Sequence, residues 1–241
     1  MKIIGISRVR NEQEVIKNTL DHVSKLVDGV VIYDDCSTDN TVSICKQHES
    51  VLKVLEGKAW DATAGGRNKA EGTLRQKAYL EAVSLGADWV YNFDADEYVE
   101  FTNVDLSVSG SYFFRLFDFY ITEEDKDKAY LEREWMGCEY RDIPMLFKVS
   151  PDILFRQRIP NGRHKPATFG GYVRHYGKAI SIEEWEKDCV YYSEVRWKGK
   201  NKQLQKRWED RKGKAIHTVS DFGRPLIRWE DRSDKSKIVK L

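Results

Sequence analysis

The 241-residue sequence lacks any apolar run approaching the roughly 20 residues needed to span a bilayer. Its opening, Met1-Lys2-Ile3-Ile4-Gly5-Ile6, carries one charge, and the apolar run stops at Ser7-Arg8 without the length or cleavage site of a signal peptide. A cytoplasmic location is therefore expected. Cysteine is scarce. Cys36, Cys45, Cys138 and Cys189 form no CxxC pair, which argues against a zinc ribbon and fits four free thiols in a reducing compartment. GxGxxG and GxxxxGK[ST] are both missing, which counts against a dinucleotide oxidoreductase and a P-loop NTPase. No internal repeat and no low-complexity linker occurs. Excess charge of one sign is missing too: 40 Lys and Arg face 39 Asp and Glu, net +1. A dedicated nucleic-acid binder would normally be strongly basic. The balance is uneven along the chain, however. Residues 196–214 hold nine basic and two acidic side chains, net +7, which leaves −6 for the remainder. Such a segment suits a solvated helix face, an anionic acceptor or a membrane surface.

What is present is core-forming material. The hydrophobic fraction is 41%, and 10 Phe, 12 Tyr and 7 Trp supply large buried surfaces. Lys2–Ser7 reads as a buried strand. Asn11 reads as the N-cap of a helix with Glu14 three residues on, followed by Ile16, Leu20, Val23 and Val27 at helical spacing. Gly29–Asp34 is a second strand, and a short helix capped near Asp39 runs to about His48. Val51–Glu56 is a third strand. A helix from about Asn68 to Leu85 stops at Gly86, and Asp88–Phe93 is a fourth strand. This order predicts an α/β fold with a doubly wound, mostly parallel sheet. Beyond Ser109 the pattern is mixed α+β: strands over Ser111–Ile121, Ile143–Val149 and Ile153–Arg158, a helix opened by the capping box at Ser181–Glu184, and a helical stretch over Asn201–Lys212. We expect one domain, 1–241, with a nucleotide-binding half (1–108), an acceptor half (109–195) and a basic helical extension (196–241).

In open parallel sheets ligands bind beyond the carboxyl ends of the strands. Those ends are polar here. The first carries Ser7, Arg8, Arg10, Asn11 and Glu12: two guanidiniums and backbone N–H groups at a helix start, a diphosphate-facing edge. The second carries Asp34 and Asp35, able to accept from a base N–H or a ribose hydroxyl, although Ser37, Thr38 and Asp39 also serve to build the turn. The fourth carries Asp94-Ala95-Asp96. Alternation at a strand end would point both carboxylates into one space and Ala95 into the fold. Paired carboxylates suit Mg²⁺ or Mn²⁺, which usually bridge to substrate phosphates. Arg67 and Arg75 are further phosphate or base contacts. Trp60, Trp135 and Trp185 could stack on sugar rings, Trp185 being better explained as core.

Ile4–Glu12, Tyr33–Thr41 (YDDCSTDNT) and Phe93–Glu97 (FDADE) together resemble glycosyltransferase family 2, the nucleotide-diphospho-sugar transferases of GT-A fold. Tyr140–Phe147 and Val173–Glu186 look like transferase domains of large algal viruses and some bacteria. The resemblance implies a UDP-sugar donor, with Asp34 or Asp35 on the nucleobase, Asp94 near the ribose or metal, and Asp96 as the main metal ligand. It implies His175 as a further ligand, which would favour Mn²⁺ over Mg²⁺. His48, His164 and His217 are weaker candidates. It also implies inversion, with a carboxylate deprotonating the hydroxyl of a glycan or glycoconjugate acceptor. Asp142 is the first choice for that base, then Asp118 and Glu139. Two competing readings are a sugar-phosphate nucleotidyltransferase, whose glycine-rich, lysine-bearing signature Gly5–Arg10 does not supply, and a glycan-binding module without turnover.

Overall fold

The computed structural model describes residues 1–61, 64–108, 110–233 and 235–241, with backbone only at 64, 65 and 67–69. Four parallel-sheet strands open the chain: β1 (Ile3–Val9), β2 (Gly29–Asp34), β3 (Val51–Glu56) and β4 (Trp89–Phe93). Helices α1 (Ile16–Val23), α2 (Thr41–Gln47) and α3 (Ala64–Ser84) connect them. The lateral order β3-β2-β1-β4 is that of a doubly wound half-sheet, and β1/β2, β2/β3 and β1/β4 all pair in parallel. The sheet continues as β7 (Trp135–Lys148), β6 (Ser111–Phe119), β8 (Thr168–His175) and β5 (Glu97–Phe101), with β4/β7 antiparallel. Two short strands, β9 (Leu226–Arg228) and β10 (Val239–Lys240), pair with β7.

Two compact units result. The first comprises Met1–Asp61, Gly65–Arg115 and Asp142–Val173. Its core is made where the β-branched face of β1 and β2 meets α3: Ile4, Ile6, Val31, Tyr33, Ala78, Tyr79, Ala82, Val90, Phe147 and Phe155 form one buried cluster. Full burial of each large apolar side chain contributes about 1.5–3 kcal/mol. On α1, Ile16, Leu20 and Val23 are fully buried, as their helical spacing requires. The second unit is built from Leu116–Arg141 and Arg174–Leu241 and includes α4 (Ile182–Val190) and α5 (Lys202–Glu209). Trp185, Cys189 and Ala215 form its helical core with Trp208 against them. The Ser181 hydroxyl caps α4 by accepting the Glu184 N–H, and Asn201 caps α5 through the Leu204 N–H.

Several elements differ from the sequence expectation. Asn11 is not an N-cap. It adopts a left-handed φ of 55°, and α1 starts only at Ile16 after a turn in which Val15 and Ile16 both donate to the Glu12 carbonyl. Strand β7 begins at Trp135 rather than Ile143, because β9 and β10 give its first residues partners. Ile153–Arg158 is not a strand. Ile153 and Phe155 are buried among turns, which lets Arg158 project inward. Asp94-Ala95-Asp96 lies beyond the end of β4 in a turn closed by the Glu97 N–H on the Asp94 carbonyl at 3.2 Å, so strand alternation does not set its side chains. β5 and β8 were not anticipated.

Candidate functional site

The carboxyl ends of β1, β2 and β4 converge in the first unit, and what gathers there is a dense set of charges. Asp34, the last residue of β2, is 3% exposed. Its Oδ2 accepts the Ser37 N–H at 3.0 Å, while its Oδ1 is buried with no hydrogen-bond partner among the described residues. Leaving such an acceptor unmade costs about 1–3 kcal/mol, more for a charge, so it is poised for a donor from a ligand. Asp35 does something different. Its carboxylate takes Arg8 Nη2 at 2.5 Å, and Arg8 Nη1 binds Glu71 at 2.8 Å.

Arg10 bonds the Asp35 carbonyl at 2.7 Å and the Cys36 carbonyl, and its guanidinium lies 3.6 Å from the Trp60 ring centre. Arg8 and Arg10 are thus engaged in holding the strand ends. The amides are engaged as well. Asn11, Glu12 and Gln13 donate to Ser37 Oγ, Thr41 Oγ1 and Asp39 Oδ2, at 2.9, 2.7 and 3.2 Å. In return Thr38 and Asn40 donate to Asn11 Oδ1 and Gln13 Oε1, at 2.8 and 3.1 Å. The β1–α1 and β2–α2 loops are laced together, so those three amides are not an open phosphate cradle, contrary to the expectation from sequence. Ser7 Oγ is buried and carries no hydrogen bond among the described residues.

At the end of β4, Asp94 is gripped on both oxygens: Oδ1 by Arg75 Nη2, and Oδ2 by Arg158 Nη1 at 2.8 Å. Arg75, 2% exposed, also reaches Glu71 at 2.5 Å and Asn92 Oδ1 at 2.6 Å. Burial opposes its charge, but Asp94 and Glu71 outweigh it and hold the guanidinium more firmly protonated than usual. For Glu71, burial is likewise overcome by Arg75, and its carboxyl titrates below the ordinary range. Arg158 Nη2 binds both oxygens of Glu97, at 2.5 and 2.6 Å, and Glu97 is fully buried. Asn92 Nδ2 anchors the Arg158 carbonyl at 2.9 Å. Burial works against the Arg158 charge, and Asp94 and Glu97 more than restore it. Ala95 is buried and its carbonyl accepts the Thr19 hydroxyl, so its contribution is to the turn. Asp96 is half-buried. Arg67 lies outside the residues whose side chains are described.

Sequence reasoning missed Glu71, Glu97 and Arg158. Glu97 stands inside the FDADE segment, and its burial is the only signal that separates it from an ordinary turn acid. Arg158 offered no signal, being 61 residues from its partner.

The remaining predicted residues are engaged locally. Asp142 pairs with Arg115 Nε at 3.1 Å in the first unit. In the second unit, Asp118 binds Arg141 at 2.6 Å, His175 Nδ1 at 2.7 Å and Lys178 at 2.9 Å. Burial resists its charge, yet Lys178, His175 and Arg141 hold its carboxyl well below the usual carboxylate range. A carboxylate so stabilised is a weak proton acceptor. Glu139 is buried, accepts the Ser220 hydroxyl at 2.8 Å and lies 3.6 Å from Arg224. His217 is half-buried against Trp185 and Tyr120, and its partial burial lowers its proton affinity. Among the described residues no three His, Cys, Asp or Glu side chains are grouped to hold a metal ion.

The model of the family described as Glycosyl transferase family 2 matches residues 6–104. An uncharacterized protein of Mycobacterium tuberculosis is 31% identical over 106 residues, 44% of this chain and 26% of the relative. An uncharacterized glycosyltransferase of Rickettsia felis is 32% identical over 96 residues, 40% of this chain and 29% of the relative. The chain thus spans little more than a quarter of the curated relatives it matches. Among solved structures, Staphylococcus aureus TarS 1–349 in complex with UDP aligns over 88% of this chain and 71% of its own, at 16% identity and a TM-score of 0.42. Glucosyl-3-phosphoglycerate synthase from Mycobacterium tuberculosis, in complex with Mn²⁺ and UDP, aligns over 53% and 47%, at 16% identity and a TM-score of 0.29.

Proposed function

We propose, from the match of residues 6–104 to the model of glycosyl transferase family 2, that the chain transfers a sugar from a UDP-sugar to a hydroxyl of a glycan or glycoconjugate. The observation that carries the reading is Asp34 Oδ1, a buried carboxylate oxygen with no partner among the described residues, at the end of a central parallel strand. A uracil ring offers an N–H that such an oxygen would accept, and a charge-assisted hydrogen bond of this kind is among the strong ones.

The donor set at Asp94 and Asp96 fits a divalent cation only in a reduced form. Asp94 has an arginine on each oxygen, and the His175 imidazole is bonded to Asp118. Asp96 is then the carboxylate that would hold the ion, with donor phosphate oxygens completing the shell, an arrangement usual for Mg²⁺ and open to Mn²⁺. When bound, the ion would neutralise the leaving diphosphate. Arg75 and Arg158 hold the Asp94 side chain and, through Glu97, the turn that carries Asp96.

For the acceptor proton we favour Asp142. Against Asp118 count Arg141, His175 and Lys178 on its carboxylate, and against Glu139 its burial against Ser220 and Arg224. Asp142 would take the hydroxyl proton as that oxygen attacks the anomeric carbon from the face opposite the leaving diphosphate, inverting the centre.

Titration calorimetry with UDP, with and without Mn²⁺, tests the reading. Asp34→Ala should weaken UDP about 10- to 150-fold, the value of one hydrogen bond to a charged group. Unchanged UDP affinity in that variant would remove the main support, and metal-independent binding would remove the cation.

A further inference from the structure

The second unit carries a surface that the proposed transfer reaction does not use. A π-helical turn, Tyr191–Arg196, follows α4 and leads through a loop into α5. Two turns stand there on left-handed glycines, Gly199 at φ 68° and Gly213 at φ 71°, and beyond their chain neighbours no atom of the described residues lies within 4 Å of where either Cβ would be. Each tip is flanked by lysines on both sides: Lys198 and Lys200 at the first, Lys212 and Lys214 at the second. The two tips are neighbours. Lys212 bonds Glu194 at 2.7 Å, and Lys198 acts electrostatically on the same Glu194 carboxylate.

Lys198, Lys200, Lys202 and Lys214 are exposed and make no ion pair among the described residues. Cations without an ion pair on such an edge gain little from the fold. They repel one another until an anionic surface neutralises them. Apolar groups stand among them. Val190 and Val195 are 44% and 40% exposed, and Trp197 is half-buried with the Arg196 guanidinium 4.9 Å from its ring centre. The base beneath is firm, since the Tyr192 and Trp208 rings stack at 4.4 Å.

We infer that this edge, the Lys198–Lys202 loop with the Lys212–Lys214 turn, docks the protein on an anionic lipid surface. One observation favours a bilayer over a nucleic acid. Valine and tryptophan interleaved with lysine suit the headgroup boundary, where apolar and cationic groups are both satisfied.

The test is co-sedimentation of the full chain with phosphatidylcholine vesicles containing phosphatidylserine, against vesicles of phosphatidylcholine alone. Binding is expected only to the anionic vesicles, falling as salt is raised. Each basic residue near such a surface is worth about fivefold in partitioning, so Lys198→Glu/Lys200→Glu/Lys202→Glu should lose about 100-fold or more. UDP affinity of that variant should be unchanged, and Asp34→Ala should bind vesicles normally, which separates this surface from the donor site. Equal binding to neutral vesicles, no binding to either, or retention by the triple variant would overturn the inference. So would displacement from the vesicles by duplex RNA at matched charge, which would assign the patch to nucleic acid.

Discussion

Replacing Arg158 by Met gives the sharpest test of how the Asp94–Glu97 turn is held. Arg158 contributes three contacts: two to Glu97, at 2.5 and 2.6 Å, and one to Asp94 at 2.8 Å. Glu97 is fully buried, so in Arg158→Met a carboxylate would be stranded out of water. Breaking a buried pair from one side costs about 3–5 kcal/mol. The Arg158 side chain is itself 23% exposed, which places the expectation near the lower end, about 3 kcal/mol. In a chain of this size each kcal/mol moves the midpoint by about 2–4 °C, so thermal unfolding should drop by about 6–12 °C. The companion variant Arg158→Met/Glu97→Met removes the stranded charge and should recover most of the loss, because an apolar pair of similar volume is often as stable as the ion pair it replaces. The pH dependence follows in sign. A stranded carboxyl has its folded pKa raised above the unfolded value, so the single variant's deficit should be small below about pH 4 and grow as pH rises. A drop of less than about 1 kcal/mol in the single variant, or no recovery in the double, refutes the account of Glu97 as a buried charge dependent on Arg158.

Three further outcomes are expected. Asp96→Ala should abolish metal-dependent hydrolysis of UDP-sugar and the metal response of UDP binding, read by calorimetry; unchanged turnover would remove Asp96 from the cation site. Asp142→Asn should lower kcat about 10²- to 10⁴-fold with UDP affinity unchanged, the range for loss of a general base, and an equal loss in UDP affinity would assign Asp142 to binding instead. Asp118→Asn bears on stability against acid. The folded pKa of Asp118 is depressed, so its contribution is present above the unfolded value of about 3.9 and is lost as pH falls below it. The variant should be less stable at neutral pH and show a shallower loss on acidification below about pH 4, measured by urea unfolding across pH.

The half-sheet was readable because its signals are local. Ile3–Val9, Gly29–Asp34 and Trp89–Phe93 are apolar runs, and Val51–Glu56 matched residue for residue. The α1 boundary misread for a physical reason. Asn11 and Glu14 satisfy the capping pattern, yet Asn11 is more useful in a left-handed turn where its Oδ1 receives the Thr38 amide. The acids of the site were visible as residue types, but their division of labour was not. Asp34 and Asp35 are adjacent and alike in sequence. Only packing leaves one oxygen of Asp34 open and gives Asp35 to Arg8. Arg158 and the start of β7 depend on partners dozens of residues away, which no local window contains.

The laced loops have a consequence for motion. Five amides drawn from residues 11–13 and 38–40 are each held by a side-chain oxygen of the opposite loop rather than by the backbone ladder. Neither loop can release its amides without removing the acceptors that protect the other. Segments some 25 residues apart should therefore exchange their hydrogens with one shared opening free energy, as a single cooperative patch at the sheet's edge. The polar letters of YDDCSTDNT, most of which never need touch a ligand, then act as a latch. They keep the strand end carrying Asp34 from breathing independently of the strand end carrying Arg8.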